Sequence, residues 1–306
     1  MEFIHKPVLF EETIASLNIK PDGIYLDGTV GGAGHSRAIA EKLQGGQLVC
    51  LDRDPDAVKV ATERLAGFNA RVIRSNFKDM NKVLESLGIE KVDGILLDLG
   101  VSSFQLDNAE RGFSYHKEAP LDMRMSKSGL SAEDIVNGFS ADEIADILFR
   151  FGEEKFAYRI ARKIISEREK APIKTTTQLA DIISGAVPAA ARRDGHPARK
   201  TFQALRIAVN GELDSLATAL DTAFELLKPG GVLSIITFHS LEDRMVKQKF
   251  KEFCTGCTCP PDIPVCVCGK KPRGRLYNKK PIQASENELK DNARSRSANL
   301  RAIIKI

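Results

Sequence analysis

The chain has 306 residues, of which 42% are hydrophobic and 28% are charged, and its formal net charge is +4. This composition is typical of a soluble globular protein, and the length allows one large α/β domain or one domain with a smaller one attached. No apolar run approaches the ~20 residues that cross a bilayer, and the N-terminal residues lack the basic start and apolar stretch of a signal peptide, so we expect a cytoplasmic protein with no membrane partner.

Short apolar runs alternate with helical patterns over the first hundred residues. The predicted strands cover residues 24–26, 48–51, 71–73 and 95–97, and a fifth covers residues 232–236. Helical patterns at residues 36–43 and 55–65 separate the first three strands. Apolar runs that alternate with helices indicate buried parallel strands. The predicted fold class is therefore α/β, with a doubly wound, mostly parallel, Rossmann-like sheet.

The long gap between the fourth and fifth predicted strands indicates an insertion, because a simple crossover needs far fewer residues. Helical patterns cover residues 131–137, 140–149, 153–169 and 176–186, and Ser131 and Ser140 resemble capping-box residues at two helix starts. We therefore predict a helical domain of residues 107–200, inserted into a sheet domain of residues 1–106 and 201–306. A helix that starts near Arg199 is predicted to return the chain to the sheet, with one apolar face made of Phe202, Leu205, Val209, Leu213 and Leu216.

The first two strands end at acidic residues beside a glycine-rich turn. Asp27 opens the turn, residues 27–35, in which glycines permit close backbone approach to a ligand. The glycine spacing differs from the G-x-G-x-x-G of dinucleotide enzymes, which favours S-adenosylmethionine. Asp27 is placed to hold a methionine ammonium, directly or through water. Asp52 is placed to accept the ribose hydroxyls of either nucleoside cofactor, and the alternative is a helix-start role beside Asp54 and Asp56.

The fourth strand ends at Asp98. In methyltransferases that act on exocyclic amines, an Asp or Asn at this point meets the target nitrogen. The lone pair of such an amine is delocalised into the ring, and an acceptor on its N–H hydrogens favours the pyramidal, nucleophilic form. Methyl transfer is then an in-line displacement from a sulfonium, and most of its acceleration comes from positioning the reacting groups. In those enzymes two prolines and an aromatic residue usually follow the acid. Here the prolines are absent and the aromatic residue, Phe104, lies farther along the chain. Capping of a turn is therefore the structural alternative for Asp98.

Several longer strings resemble one family over nearly the whole chain. They are HKPVL at 5–9, DGTVGGAGHS at 27–36, LDLGVSS at 97–103, QLD at 105–107, RGFS at 111–114, LDMRM at 121–125, FQALR at 202–206, VN at 209–210, TFHSLEDR at 237–244 and RSRSA at 294–298. With these strings the chain resembles the bacterial 16S ribosomal RNA cytosine-N4 methyltransferase family, of the RsmH or MraW type.

The resemblance implies a methyltransferase core with an inserted helical domain that recognises the substrate. It implies transfer of a methyl group from S-adenosylmethionine to a cytosine N4 in the decoding region of 16S rRNA, with that rRNA, within the small ribosomal subunit, as partner. The family's cofactor contacts carry over to Gly32, Ala33, Gly34, Asp52, Phe77, Asp98 and Gln105. Ala33 stands where many members have glycine, and Phe77 would lie against the adenine.

Three further side chains have open roles in the sequence. His239, just after the fifth strand, is a candidate to approach the target base or a phosphate, and a hydrogen-bonded structural histidine is the alternative. Arg111 and Arg124 are candidates for phosphate contact, with intramolecular salt bridges as the alternative.

The C-terminal part of the chain is basic and rich in cysteine. Residues 244–306 contain 15 lysines and arginines against five acidic residues, a net +10, whereas residues 1–243 contain 30 against 36, a net −6. Such a region suggests contact with a polyanion, or a solvated surface.

Of six cysteines, five lie between Cys254 and Cys268. The candidate metal ligands are Cys257, Cys259, Cys266 and Cys268, which could close a tetrahedral zinc site; metal-free or redox-sensitive thiols are the alternative. Lys270, Lys271, Arg273 and Arg275 follow directly.

Two other functions are weighed against the methyltransferase interpretation. A non-catalytic RNA-binding or ribosome-assembly factor could keep a cofactor fold, but it would have no reason to keep Asp27, Asp52 and Asp98 at three strand ends. A DNA amine methyltransferase would be expected to carry the double-proline signature after Asp98.

Overall fold

The computed structural model describes residues 7–189, 195–257, 259 and 268–306. The chain divides into two compact units, one made of Met1–Gly100 and Leu213–Ile306 and the other of Val101–Glu212. We call the first the sheet unit and the second the helical unit. Within the described ranges, no helix has both the length and the apolar character needed to cross a membrane.

Helices and strands alternate along most of the sheet unit. The strands are β1 (Ile24–Asp27), β2 (Gln47–Asp52), β3 (Ala70–Arg74), β4 (Val92–Asp98), β5 (Leu227–Thr237), β6 (Gly274–Leu276) and β7 (Asn299–Lys305). The α-helices of both units are α1 (Phe10–Leu17), α2 (Gly34–Lys42), α3 (Pro55–Arg64), α4 (Met80–Ser86), α5 (Ser103–Asp107), α6 (Ala132–Gly138), α7 (Ala141–Gly152), α8 (Ala157–Arg168), α9 (Thr176–Ala186), α10 (Ala198–Asn210), α11 (Glu212–Leu226), α12 (Ser240–Cys254) and α13 (Glu286–Asp291).

The strands form one seven-stranded sheet in the order β3-β2-β1-β4-β5-β7-β6. The first five strands pair in parallel, whereas β7 runs antiparallel to both β5 and β6. The doubly wound, mostly parallel α/β fold predicted from the sequence is confirmed. The antiparallel pair at the sheet edge was not predicted.

Both faces of the sheet are covered, which explains the continuous apolar runs of its strands. Leu26, Val49 and Leu51 pack on one face with apolar residues of α11 and α12. Tyr25 and Leu48, whose side chains alternate with these, pack on the opposite face with residues of α2 and α3. Side chains that alternate along a strand thus reach two separate cores.

The helical unit has its own apolar core, to which α6 through α10 contribute. Ser131 and Ser140 form the two predicted capping boxes, with Asp134 and Glu143 as the reciprocal partners. Each such cap stabilises its helix by about 1 kcal/mol. The pattern predicted over residues 153–169 forms a helix only from Ala157.

The unit boundaries differ from residues 107 and 200, which the sequence suggested. The helix predicted to return to the sheet is two helices, because Gly211 ends α10 in a left-handed conformation with φ 56°. Phe202 and Leu205 on α10 belong to the core of the helical unit, whereas Leu216 on α11 belongs to the sheet core. The single apolar face predicted from Phe202 to Leu216 is therefore wrong.

Candidate functional site

The strand order places three acidic residues at one edge of the sheet. The chain winds from β1 to β2 and β3 on one side, and β4 and β5 lie on the other side. Asp27, Asp52 and Asp98 are the last residues of β1, β2 and β4. The edge between β1 and β4 is the topological switch point at which open α/β sheets bind ligands.

Asp27 shapes the loop that follows it. Its Oδ2 atom accepts a hydrogen bond of 2.6 Å from the Ser36 hydroxyl, and its Oδ1 atom accepts one of 3.0 Å from the Thr29 N–H. The side chain is buried, and burial raises the pKa of Asp27, while these donors lower it. Both oxygens are therefore engaged by the loop itself, and contact of Asp27 with a methionine ammonium stays a prediction.

Two glycines of the loop are fixed by their surroundings. A Cβ atom at Gly28 would lie 2.5 Å from Leu97 Cδ2 and 3.0 Å from Phe77 Cβ, and one at Gly34 would collide with Pro7. Ala33 between them is buried and has φ 62°, a left-handed conformation that favours glycine. The loop thus keeps its backbone close to the ends of β1 and β4.

Gly32 and Gly34 flank Ala33 at the start of α2. The Gly32 carbonyl accepts a 2.7 Å hydrogen bond from the Arg64 side chain, which ties the loop to the end of α3. Gly34 is the first residue of α2, so its N–H belongs to the helix start, where backbone N–H groups and the helix dipole favour an anion.

Asp52 also contacts the glycine loop. Its Oδ2 atom accepts 2.9 Å from the Gly31 N–H, and its Oδ1 atom accepts 2.9 Å from the Asp54 N–H. Burial raises the pKa of Asp52 to about 6, and the two backbone N–H donors oppose that rise. Asp54 rather than Asp52 caps α3, since its side chain accepts from the Asp56 N–H. The helix-start alternative for Asp52 is therefore filled by another residue.

Phe77 and Gln105, both implied by the family resemblance, lie in different units. Phe77 begins a short 3-10 helix after β3, and its Cβ atom lies beside Gly28 in the sheet unit. Gln105 lies in α5 of the helical unit, where it is buried and its Oε1 atom accepts 3.0 Å from the Ser102 N–H. The backbone N–H of Gln105 donates to the Ser102 hydroxyl, which completes a capping box.

Asp98 has a strongly perturbed carboxyl group at this edge. Its Oδ1 atom is fully buried, and no described residue forms a hydrogen bond with it. The side chain as a whole is 27% exposed, and its Oδ2 atom lies 3.6 Å from His35 Nδ1. Burial, reinforced by the nearby negative charges of Asp27 and Glu242, raises the pKa of Asp98 to about 8. A buried acceptor with a raised pKa is a feature of catalytic carboxyl groups.

Sequence reasoning missed three residues that hold this arrangement together. Thr29 links two strand ends, because its hydroxyl accepts 2.6 Å from the Asp98 N–H while its own N–H donates to Asp27. Ser36 donates to Asp27, and His35 contacts Asp98. All three lie in the string at residues 27–36 that resembles the family. That string is the only sequence feature from which they could have been predicted.

Three other sequence candidates have structural roles. His239 is the N-cap of α12, and its Nε2 atom lies 3.1 Å from Glu242 Oε1. Arg111 is buried and donates to the carbonyls of Arg124 and Met125, each at 3.0 Å. Arg124 forms an ion pair with Asp122. Arg124 thus shows the salt-bridge alternative and His239 the structural one, whereas Arg111 is held by backbone carbonyls.

The cysteine cluster lies away from the strand-end site. It follows the C-terminus of α12, a helix of 15 residues, which is about 22 Å long. Cys257, Cys259 and Cys268 lie close together, and Cys266 lies outside the described residues.

Comparison with known proteins places this geometry in a family. The model of the MraW methylase family matches residues 2–306. Ribosomal RNA small subunit methyltransferase H 2 of Agathobacter rectalis is 56% identical, covering 100% of this chain and 99% of that protein. Ribosomal RNA small subunit methyltransferase H of Heliobacterium mobile is 55% identical, covering 100% of both chains. An rRNA methylase structure from Streptococcus thermophilus aligns over 99% of both chains, with a TM-score of 0.44 and 10% identity. With a family match over essentially its whole length, this chain belongs to the MraW methylase family.

Proposed function

We propose that this methylase transfers the methyl group of S-adenosylmethionine to the exocyclic N4 of a cytosine in the decoding region of 16S rRNA. The observation that carries the proposal is the pair of acids at the switch point. Asp52 offers carboxylate oxygens beside the glycine loop, and Asp98 offers a buried oxygen for which no described residue is a hydrogen-bond partner.

The loop and its neighbours fit the three parts of S-adenosylmethionine. Asp52 would accept the ribose hydroxyls. The face of Phe77, beside Gly28, would lie against the adenine. The backbone of Gly32, Ala33 and Gly34 would hold the methionine part at the start of α2.

The family resemblance implies a cofactor contact for Gln105 as well. In its own unit the Gln105 Oε1 atom accepts the Ser102 N–H, within the capping box of α5. We assign the helical unit to substrate recognition, as the family resemblance implies. Its own apolar core makes it a separate folded body that could carry such a role.

Asp98 would position the target amine. S-adenosylmethionine supplies a methyl group on a positively charged sulfur, and the reaction needs a nitrogen lone pair in line with it. A stacked cytosine cannot present N4 to that point, so the base must leave its stack. An Asp98 carboxylate that accepts an N–H of the amine would turn the lone pair toward the methyl group, and from that hydrogen bond it could take up the proton that N4 must lose.

An RNA substrate agrees with the charge of the chain and with the names of its relatives. Residues 244–306 carry a net +10, which favours a polyanion. The relatives from Agathobacter rectalis and Heliobacterium mobile are named as ribosomal RNA small subunit methyltransferases. We therefore propose 16S rRNA within the small ribosomal subunit as the partner and the cytoplasm as the place of action.

The test is methylation of three nucleic acids in parallel. The full chain and its Asp98→Ala variant are incubated with labelled S-adenosylmethionine and unmethylated small subunits, naked 16S rRNA, or DNA. We expect label in rRNA only, recovered after digestion as N4-methylcytidine, and none with the variant. Label in DNA would identify a DNA amine methyltransferase. RNA binding without label on any substrate would identify an assembly factor, and either outcome refutes the proposal.

A further inference from the structure

Three cysteine sulfurs are gathered at the C-terminal end of α12. The sulfurs of Cys257, Cys259 and Cys268 all lie within 4.8 Å of one another. Cys268 Sγ and Cys257 Sγ are 3.7 Å apart, whereas a disulfide would bring them to about 2.05 Å. Two sulfurs at tetrahedral positions around zinc, each 2.3 Å from the ion, are about 3.8 Å apart. The Cys268 thiol donates a hydrogen bond to Cys257 Sγ at this distance, and the same spacing suits two thiolate ligands of one metal ion.

Two features of the surroundings suit a cluster of sulfur ligands. The Cys259 N–H donates to Cys257 Sγ at 3.4 Å, and such a donor stabilises negative charge on sulfur. Lys270 and Lys271 follow Cys268 after one glycine and are exposed. Their positive charges would offset the negative charge that three thiolates leave on a divalent ion.

The backbone on both sides of the cluster is held in place independently of the sulfurs. The Arg273 N–H donates 2.8 Å to the Phe253 carbonyl, and a Cβ atom at Gly256 would lie 2.9 Å from Pro272. Phe253 stacks on Phe224 with ring centroids 4.0 Å apart. The segments before Cys257 and after Cys268 are therefore packed against each other. Bringing the sulfurs together costs little further conformational entropy.

We propose that Cys257, Cys259 and Cys268 bind one zinc ion, which fixes the basic segment that follows them. Soft thiolates in a tetrahedral arrangement select zinc over hard cations. Three thiolates leave one position for a further ligand. The distance from the strand-end site, set by the length of α12, makes the role structural rather than catalytic.

The test measures zinc in the full chain and in cysteine variants. The chain is purified without chelators and its metal content is determined by mass spectrometry. We expect about one zinc per chain, and a loss of about tenfold or more in Cys257→Ser and Cys268→Ser. Cys254→Ser is the matched control, because Cys254 lies in the same segment, packs against the sheet core and is not one of the three ligands. It should keep the zinc.

A second measurement covers serine variants that do not fold. Cobalt is added to the metal-free wild-type chain, and a thiolate-to-cobalt charge-transfer band should appear at about one equivalent. Zinc should abolish the band and protect the cluster from a thiol reagent. The proposal is overturned if reconstituted wild-type chain retains no zinc and shows no cobalt band, or if Cys268→Ser holds as much zinc as Cys254→Ser. Neither result depends on methyl transfer, so failure here leaves the proposed function untouched.

Discussion

Asp98 and His35 face each other at the switch point, with Oδ2 and Nδ1 3.6 Å apart. His35 Nε2 lies 3.1 Å from the Val8 carbonyl oxygen, and a carbonyl can only accept, so Nε2 carries a hydrogen. In the neutral ring, Nδ1 is then an acceptor directed toward Asp98. Because burial raises the pKa of Asp98 to about 8, the carboxyl is mostly protonated at neutral pH. The Asp98 carboxyl group therefore holds a proton next to the site proposed for the reaction, with His35 Nδ1 just beyond hydrogen-bond distance.

Replacement of Asp98 should abolish turnover while largely sparing cofactor binding. Asp98→Asn keeps the shape and one acceptor oxygen but cannot take up a proton, and we expect turnover to fall by about 100-fold or more. Asp98→Ala should lose nearly all activity. Single-turnover methylation and cofactor titration on the same samples separate the two effects. Asp221→Asn, which changes an exposed acid on α11, should behave as wild type. Near-normal turnover in Asp98→Ala would remove the residue from catalysis.

The same residue should make stability depend on pH. The folded-state pKa of Asp98 is about 8, against about 3.9 in an unfolded chain. Between these values the folded state holds a proton that the unfolded state releases, so the free energy of unfolding falls as the pH rises toward 8. In Asp98→Asn this fall in the free energy of unfolding with rising pH should be absent. The melting temperature of the variant minus that of wild type should therefore increase from pH 5 to pH 8. A pH-independent difference for Asp98→Asn would contradict the raised pKa.

Asp52→Ala should weaken binding of S-adenosylmethionine. Each lost hydrogen bond to a charged acceptor costs about 1.5–3 kcal/mol, so the loss of both ribose contacts should raise the Kd by about 100-fold or more. Asp52→Asn isolates the charge, since it keeps an acceptor oxygen for the Gly31 or the Asp54 N–H. Because the pKa of Asp52 is about 6, wild-type affinity should fall as the pH drops through 6, and affinity of the Asn variant should not. Calorimetry measures the affinity of each variant and its dependence on pH. If Asp52→Ala bound S-adenosylmethionine as tightly as the wild type does, the ribose contact would be excluded.

The strand-end acids could be predicted from the sequence because each ends a buried apolar run. Parallel strands expose their carboxyl ends at one edge, so Asp27, Asp52 and Asp98 had to lie near one another. Their partners could not be predicted in this way. The contact of Ser36 with Asp27 depends on how α2 is rotated against β1, and the contact of Thr29 with the Asp98 N–H depends on the register between β1 and β4.

Two features of the fold were missed for local reasons. The apolar periodicity of α10 continues into α11, and only the left-handed conformation of Gly211 separates them. The edge strand β6 has three residues, which include Arg275, too short and too polar to give a strand pattern. By contrast, the boxes at Ser131 and Ser140 depend on residues three positions apart, and such local spacing is visible in a sequence.

Binding to rRNA should depend on salt through part of the basic segment. Lys270, Lys271 and Arg275 are exposed, whereas Arg273 forms an ion pair with Glu225 and lies over the Phe253 ring at 5.3 Å. Each phosphate contact contributes about 0.7–0.9 to the slope of log affinity against log salt. Neutralising Lys270, Lys271 and Arg275 together should therefore reduce the slope by up to about 2–3, and Arg273→Gln should leave it nearly unchanged. An unaltered slope in the triple variant would place the segment outside the RNA interface.

The last prediction follows from the charge of the methyl donor. S-adenosylmethionine carries a methyl group on a positive sulfonium, whereas S-adenosylhomocysteine lacks that methyl group and has a neutral sulfur. A positive charge next to Asp98 favours its carboxylate and lowers its pKa, so binding of the methyl donor should expel the proton that the carboxyl group holds. The carboxyl would thereby become an acceptor for the target amine only when the donor is present.

Calorimetry at pH 7 in buffers of different ionisation enthalpy counts the protons released on binding. With a pKa of about 8, Asp98 is about nine-tenths protonated at that pH, so S-adenosylmethionine should release up to about 0.9 proton more than S-adenosylhomocysteine. In the proposed site Asp52 would contact only the ribose, which the two ligands share, so its contribution would cancel in the difference. In Asp98→Asn the two ligands should release equal numbers of protons, and the preference of the wild type for S-adenosylmethionine should strengthen as the pH rises toward 8. Equal release by the two ligands in wild type would show that the sulfonium does not lie beside Asp98, and would move the methyl-transfer point away from the end of β4.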